Sequence, residues 1–194
     1  MKLKKAALKA VGKIVNKVTS STVQGTSAGV KSGYTADSEL IALCRRMGAE
    51  SVVMLKNNGN VLPLDRSRKV SVFGRVQNDY FYVGYGSGGD VNAPYKISLM
   101  QALRNDPDIT VNTELADEYE RRCAAEPVDN GFWGHWPMCY DELSVDAATA
   151  KKAAANSDTA IVVIGRAAGE DRENKLEKGS YYLTDDETAL LDKV

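Results

Sequence analysis

Residues 145–165 read VDAATAKKAAANSDTAIVVIG. The alanine-rich first part predicts a helix with Ser144 as its cap, since alanine gives up the least side-chain freedom on entering a helix. The remainder, TAIVVIG (159–165), is the most apolar run in the chain and predicts a strand. A sheet with one wet face shows apolar and polar residues in alternation, whereas a strand buried on both faces reads as a continuous apolar run. This run therefore points to a parallel sheet with helices on both sides.

The same succession appears upstream. TADSELIALCRRMGAES (35–51) predicts a helix, with Thr35 or Asp37 to cap it and Leu40, Ile41, Leu43, Cys44 and Met47 as its apolar stripe. SVVMLKN (51–57) favours a strand through Val52 and Val53, and Asn57-Asn58-Gly59-Asn60 turns the chain before VLPL, giving a short ribbon. KVSVFG (69–74) predicts a strand, 97–105 has helical spacing, and DITVN (108–112) is another β-branched run. The stretch after it reads as irregular. Thr184-Asp185-Asp186-Glu187 has the form of a capping box and starts a last helix through Leu190 and Leu191. The expected class is α/β, an α/β sandwich with a largely parallel sheet. Function in such sheets gathers in loops past the carboxyl ends of the strands, here residues 74–94 and 165–182.

Two regions are expected, an N-terminal helix and linker (1–34) and a globular part (35–194). MKLKKAALKAVGKIVNKV opens the chain with Lys5, Lys9, Lys13 and Lys17 on one helical face and Leu3, Ala7, Ala10, Val11, Ile14 and Val18 on the other. Lysine interrupts the apolar face too often for a secretion signal or a membrane span. A basic amphipathic helix suits an anionic membrane surface, yet packing on a neighbouring domain with a solvated charged face is the commoner outcome. Residues 19–34, TSSTVQGTSAGVKSGY, read as a linker. The pattern at Val194 lies inside a helix, which suggests that the sequence continues.

With 194 residues, 43% of them apolar and 26% charged, the chain has the composition of one soluble domain plus a tail. A formal net charge of -1 supplies no field for nucleic acid. Cys44, Cys123 and Cys139 lack CxxC spacing and His135 is the only histidine, so neither a structural zinc site nor any other metal site is expected. An odd number of cysteines argues for reduced thiols, which fits a cytoplasmic location.

Three stretches carry candidate chemistry. Gly84-Tyr85-Gly86-Ser87-Gly88-Gly89 satisfies GxGxxG, and Glu114 follows at about the spacing of a ribose-binding acid, so a dinucleotide site is one reading. Against it, Asp90 to Pro94 separate the glycines from the next helix, whose free N–H groups would have to face the pyrophosphate. Asn130-Gly131-Phe132-Trp133-Gly134-His135-Trp136 places both tryptophans in one loop. Trp133 and Trp136 suit the C–H faces of sugar rings, as in a stand-alone carbohydrate-binding or partner module, and suit equally a plug that fixes the loop to the core. Arg166-Ala167-Ala168-Gly169-Glu170-Asp171-Arg172 leaves the strand TAIVVIG as a loop. A partly desolvated carboxylic acid beside another carboxylate holds its proton more tightly and can donate it to a leaving oxygen. Arg166 and Arg172 would pull the other way, and a charged loop residue is most often merely solvated.

Taken together, these motifs resemble a family. AESVVMLKNNGNVLPL (49–64) followed by KVSVFG resembles the opening of the α/β sandwich domain of family 3 glycoside hydrolases, the β-glucosidases and their relatives. GYGSGGDVNAPYKISLMQAL (84–103) resembles their glycine-rich loop and the helix after it, and SDTAIVVIGRAAGEDRENK (157–175) with GSYYLTDDETALLDKV (179–194) their strand, acidic loop and following helix. The resemblance runs from about Thr35 onward. It implies a retaining glycosidase in which a TIM-type barrel supplies an aspartate nucleophile and the sandwich domain an acid/base glutamate, acting on a β-linked glycoside or oligosaccharide without a cofactor. By position Glu170 is that glutamate, with Asp171 the fallback, and Trp133, Trp136 and Arg166 are candidate substrate contacts. No counterpart of the barrel or its nucleophile is present. Retaining chemistry needs two carboxyl groups roughly 5–5.5 Å apart, so these residues alone are expected to be inactive.

Overall fold

The computed structural model describes residues 37–82, 84–85, 95–131, 136–170 and 174–194. The basic N-terminal helix and linker, Trp133, His135, Asp171, Arg172 and most of the glycine loop lie outside them. The chain divides into two compact units, Met1–Leu64 and Asp65–Val194.

In the first unit, helix α1 spans Ser38–Glu50 and starts at Asp37, whose carboxylate accepts the Glu39 N–H at 2.8 Å. Asp37 thus serves as the cap rather than Thr35. The expected ribbon does not form. Residues 52–57 and 61–64 carry no strand, and the turn at Asn58–Asn60 is closed by the Asn57 side chain, which donates to the Leu62 carbonyl at 2.9 Å and accepts its N–H at 3.0 Å. Val52 and Val53 favour extended backbone, but β-propensity makes a strand only where a partner edge takes up the hydrogen bonds.

In the second unit, strands β1 (Lys69–Phe73), β2 (Thr110–Val111) and β3 (Thr159–Val162) form a parallel sheet in the order β2-β1-β3. Val70 pairs with Val111 on one side and Thr159 on the other, and Phe73 with Val162. Helix α2 (Leu99–Asn105) precedes β2, α3 (Thr113–Ala125) and α4 (Ala147–Asn156) lie between β2 and β3, and α5 (Asp185–Lys193) follows β3. Phe73 packs with Leu115, Tyr119 and Cys123 of α3, Ala153 of α4 and Leu190 of α5. Val70 and Val72, on the opposite face by strand alternation, are buried as well. A parallel strand covered on both faces is the α/β sandwich expected from the run of apolar residues, and each large side chain buried this way contributes about 1.5–3 kcal/mol.

Three details differ from the sequence reading. The stretch after β2 is helix α3, not irregular chain; Asn112 caps it, accepting the Leu115 N–H, and its apolar Leu115, Ala116, Tyr119 and Cys123 form one stripe. Helix α4 is capped by Asp146, which accepts the Thr149 N–H at 2.7 Å, two residues later than Ser144. Strand β3 is half-buried and ends at Val162, so residues 163–165 already belong to the loop.

Candidate functional site

Glu170 is exposed, on the loop that leaves the carboxyl end of β3. The loop's backbone is fixed at successive points. The Ala167 N–H donates to the Met138 carbonyl at 2.7 Å, the Tyr85 N–H donates to the Ala168 carbonyl at 2.8 Å, and the Glu170 N–H donates to the Tyr85 carbonyl at 3.0 Å. Tyr85 and Gly169 face each other as a parallel bridge. The approach is close because no side chain intervenes: a Cβ on Gly169 would stand 2.2 Å from the Tyr85 carbonyl oxygen, and one on Gly84 would stand 2.8 Å from that of Ala168. Gly84, the first glycine of the GxGxxG pattern, thus has a packing role next to the acidic loop.

Trp136 is half-buried and stacks on Tyr85, with ring centroids 5.4 Å apart and planes 4° from parallel. Phe81 and Tyr140 stack at 4.4 Å. The structure therefore brings together Glu170, Trp136 and Tyr85 through the Tyr85 backbone and ring, a contact that a sequence separation of 85 positions hid from view.

Arg166 turns away from this assembly and pairs with Glu187 of α5, at 2.5 Å and 2.7 Å to the two carboxylate oxygens. Glu187 is 3% exposed. Burial alone would raise its pKa, but the Arg166 guanidinium and the Thr184 N–H outweigh burial and hold it below the ordinary glutamate value.

A second buried network supports the loop at 138–143. The Arg75 N–H donates to the Glu142 carboxylate at 2.8 Å, and its guanidinium donates to the Asp141 carbonyl at 2.8 Å and to the Glu126 carbonyl. Burial pushes the Glu142 carboxyl up, against the opposing effect of the Arg75 and Leu143 N–H groups. Cys123 is also buried, and desolvation with the nearby Asp79 carboxylate pushes its thiol up to about 11, so it is an inert core residue.

Among the described residues no cluster of His, Cys, Asp and Glu is placed to hold a metal ion, and no helix is long and apolar enough to cross a membrane. One concavity of the described surface lies between α3 and α4, and another beside Ser71, Phe73 and Ala160 on the sheet.

The fold and this loop have counterparts among known proteins. Residues 52–194 match the model of the glycosyl hydrolase family 3 C-terminal domain. The chain belongs to glycoside hydrolase family 3. A family 3 relative, the β-glucosidase of Ruminococcus albus, is 42% identical over 158 residues, which cover 81% of this chain and 16% of that protein. β-Glucosidase A of Butyrivibrio fibrisolvens is 32% identical over 82% of this chain and 21% of its own length. Among solved structures, a β-glucosidase from Paenibacillus barengoltzii superposes with a TM-score of 0.70 at 44% identity, over 73% of this chain and 15% of that one. β-Glucosidase 3B from Thermotoga neapolitana, solved with α-D-glucose, does so with a TM-score of 0.67 at 29% identity, over 80% and 22%. The family 3 chain described here thus spans about a fifth or less of the curated relatives it matches.

Proposed function

We propose that this chain is the acid/base half of a retaining β-glucosidase-type active site, and that Glu170 is the residue that protonates the glycosidic oxygen and then activates water against the covalent glycosyl-enzyme. The observation that carries this reading is the placement of Glu170: exposed, past the carboxyl end of a sheet strand, with its backbone tied to Tyr85. A proton donor must be held where the leaving oxygen will be, and a backbone fixed in this way meets that need.

The reaction needs a second carboxylate opposite the first, and the exposure of Glu170 supports reading this chain as one wall of a cleft whose other wall is a TIM-type barrel carrying the nucleophile. Trp136, stacked on Tyr85 next to the loop, would offer apolar surface to a sugar ring. The substrate class is a β-linked glycoside or oligosaccharide.

The test is hydrolysis of an aryl β-glucoside. The chain alone is expected to be inactive, and the chain joined to a family 3 barrel domain active. In that assembly Glu170→Gln is expected to lower kcat by about 10²–10⁴. Undiminished turnover by Glu170→Gln would remove it from the acid/base role, and turnover by the isolated chain would overturn the need for a partner domain.

A further inference from the structure

An arginine guanidinium has five N–H donors in a planar fork. The structure gives each donor of Arg166 an acceptor within the protein. Nε donates to the Ser180 carbonyl at 2.8 Å, Nη1 to the Gly165 carbonyl at 2.8 Å and to Glu187 Oε1, and Nη2 to Glu187 Oε2 and to the Tyr182 carbonyl at 3.3 Å. All five N–H groups of Arg166 are engaged within the protein.

The acceptors come from separate parts of the chain: the loop itself, the turn at 175–182 and the first turn of α5. Glu187 is already committed to the helix start, where its Oε2 accepts the Thr184 N–H at 2.8 Å while Thr184 Oγ1 accepts the Glu187 N–H at 3.1 Å. One carboxylate therefore closes a capping box and grips the guanidinium with two parallel bonds. Such a fork fixes orientation as well as distance, which a point charge cannot do. Immediately beyond Arg166 come the backbone ties of Ala167, Ala168 and Glu170. The loop is held by a side-chain fork at its start and by main-chain bonds at its end.

We propose that Arg166 and Glu187 are positioning residues for the acid/base loop, locking the exit from β3 so that Glu170 is presented in one place. This rests on the reading of Glu170 as the acid/base. Neither residue touches substrate; both act through the loop.

The experiment compares amide hydrogen exchange, by NMR, in the full 194-residue chain and in Glu187→Gln and Arg166→Lys. Gln keeps the size of Glu187 and one acceptor oxygen, and Lys keeps the charge of Arg166 without the fork. Both variants are expected to speed exchange at the Ala167 and Glu170 amides by about tenfold, with less than about a twofold change at the core amides of β1. In the barrel-joined enzyme, both are expected to lower kcat about tenfold while KM stays within about twofold, the signature of an interaction felt in the transition state. Loop exchange like wild type in both variants overturns the proposal, and so does equal acceleration in loop and core in both, or a loss carried by KM alone. Glu170→Gln separates the two ideas: it should leave exchange at the Ala167 amide at the wild-type rate while lowering kcat by about 10²–10⁴. If it keeps its activity, the acid/base reading fails and the exchange result still stands.

Discussion

The Glu170 N–H donates to the carbonyl of Tyr85 at 3.0 Å, and the N–H of the same tyrosine donates to Ala168 at 2.8 Å. Two segments that leave different strands of the sheet are thereby joined as a short ribbon, with the acidic residue at its end. These bonds are main-chain to main-chain.

The narrowest point of that ribbon is Gly169. A methyl group there would lie 2.2 Å from the Tyr85 carbonyl oxygen, a backbone atom that cannot rotate away. Gly169→Ala is expected to push the segments apart and cost about 1–3 kcal/mol, the usual range for overpacking. The urea midpoint should fall while the slope of the transition stays as in wild type, and faster exchange at the Glu170 amide should accompany it. A midpoint equal to wild type would contradict the contact.

Trp136 reports on the same ribbon through its stack with Tyr85. The chain has two tryptophans, so Trp133→Phe leaves Trp136 as the sole indole emitter. In that background Tyr85→Ala is expected to shift the emission to longer wavelength as the indole gains water. Titration of glucose or cellobiose into the Trp133→Phe chain gives a second readout: saturable quenching would show that Trp136 takes part in sugar contact in the absence of any other domain.

The hydroxyl of the buried Tyr119 accepts the N–H of Gly74 at 3.0 Å, tying α3 to the end of β1. Tyr119→Phe keeps the ring and leaves a buried N–H without its acceptor, a loss of about 1–3 kcal/mol. Denaturant unfolding measures it directly. A change within about 0.5 kcal/mol, the range of surface substitutions, would show that water replaces the hydroxyl.

Stability against pH separates buried Glu187 from half-buried Glu142. The pKa of Glu187 is lowered in the folded chain, so its contribution is present above the unfolded carboxylate value, about 4.3, and is lost as pH falls through the lower folded value. Glu142 has the opposite sign: its raised pKa contributes stability fully present below about 4.3 and lost as pH rises through the higher folded value. Glu187→Gln should therefore flatten the acid limb of the stability profile, and Glu142→Gln should remove a decline on the other side of it. Profiles that keep the wild-type slopes in both variants would show that neither group is coupled to folding.

Much of this fold was legible because burial on both faces leaves a plain mark in the sequence. KVSVFG could be read as a strand covered on both faces, TAIVVIG could be read as a strand of the same parallel sheet although β3 is only half-buried, and the capping box at Thr184 announced α5. Helix α3 was missed although its signal was present: Asn112 at the cap, then Leu115, Ala116, Tyr119 and Cys123 on one stripe. The charged residues between them thin the stripe enough to resemble irregular chain. Val52 and Val53 misled in the other direction, since β-branching describes what a residue tolerates and not whether an edge is available. The position of the acidic loop followed from the end of β3, but the partner of Arg166 did not. Glu187 could be read as a capping residue from its local pattern, and nothing local says that the same carboxylate also reaches a guanidinium on another segment.

The closeness of Gly84 to Ala168 and of Gly169 to Tyr85 has a bearing on how such a site changes over generations. Main-chain bonds do not record which side chains flank them, so outside the Arg166–Glu187 fork and the closest backbone approaches the residues of this ribbon can be exchanged while the acid stays where it is. Gly84 and Gly169, where a Cβ would meet backbone of the facing segment, are restricted. The lasting trace of this architecture in a diverging lineage is then a pair of glycines far apart in the chain, and a search keyed to them would reach relatives that a search keyed to the acid's neighbours would pass over.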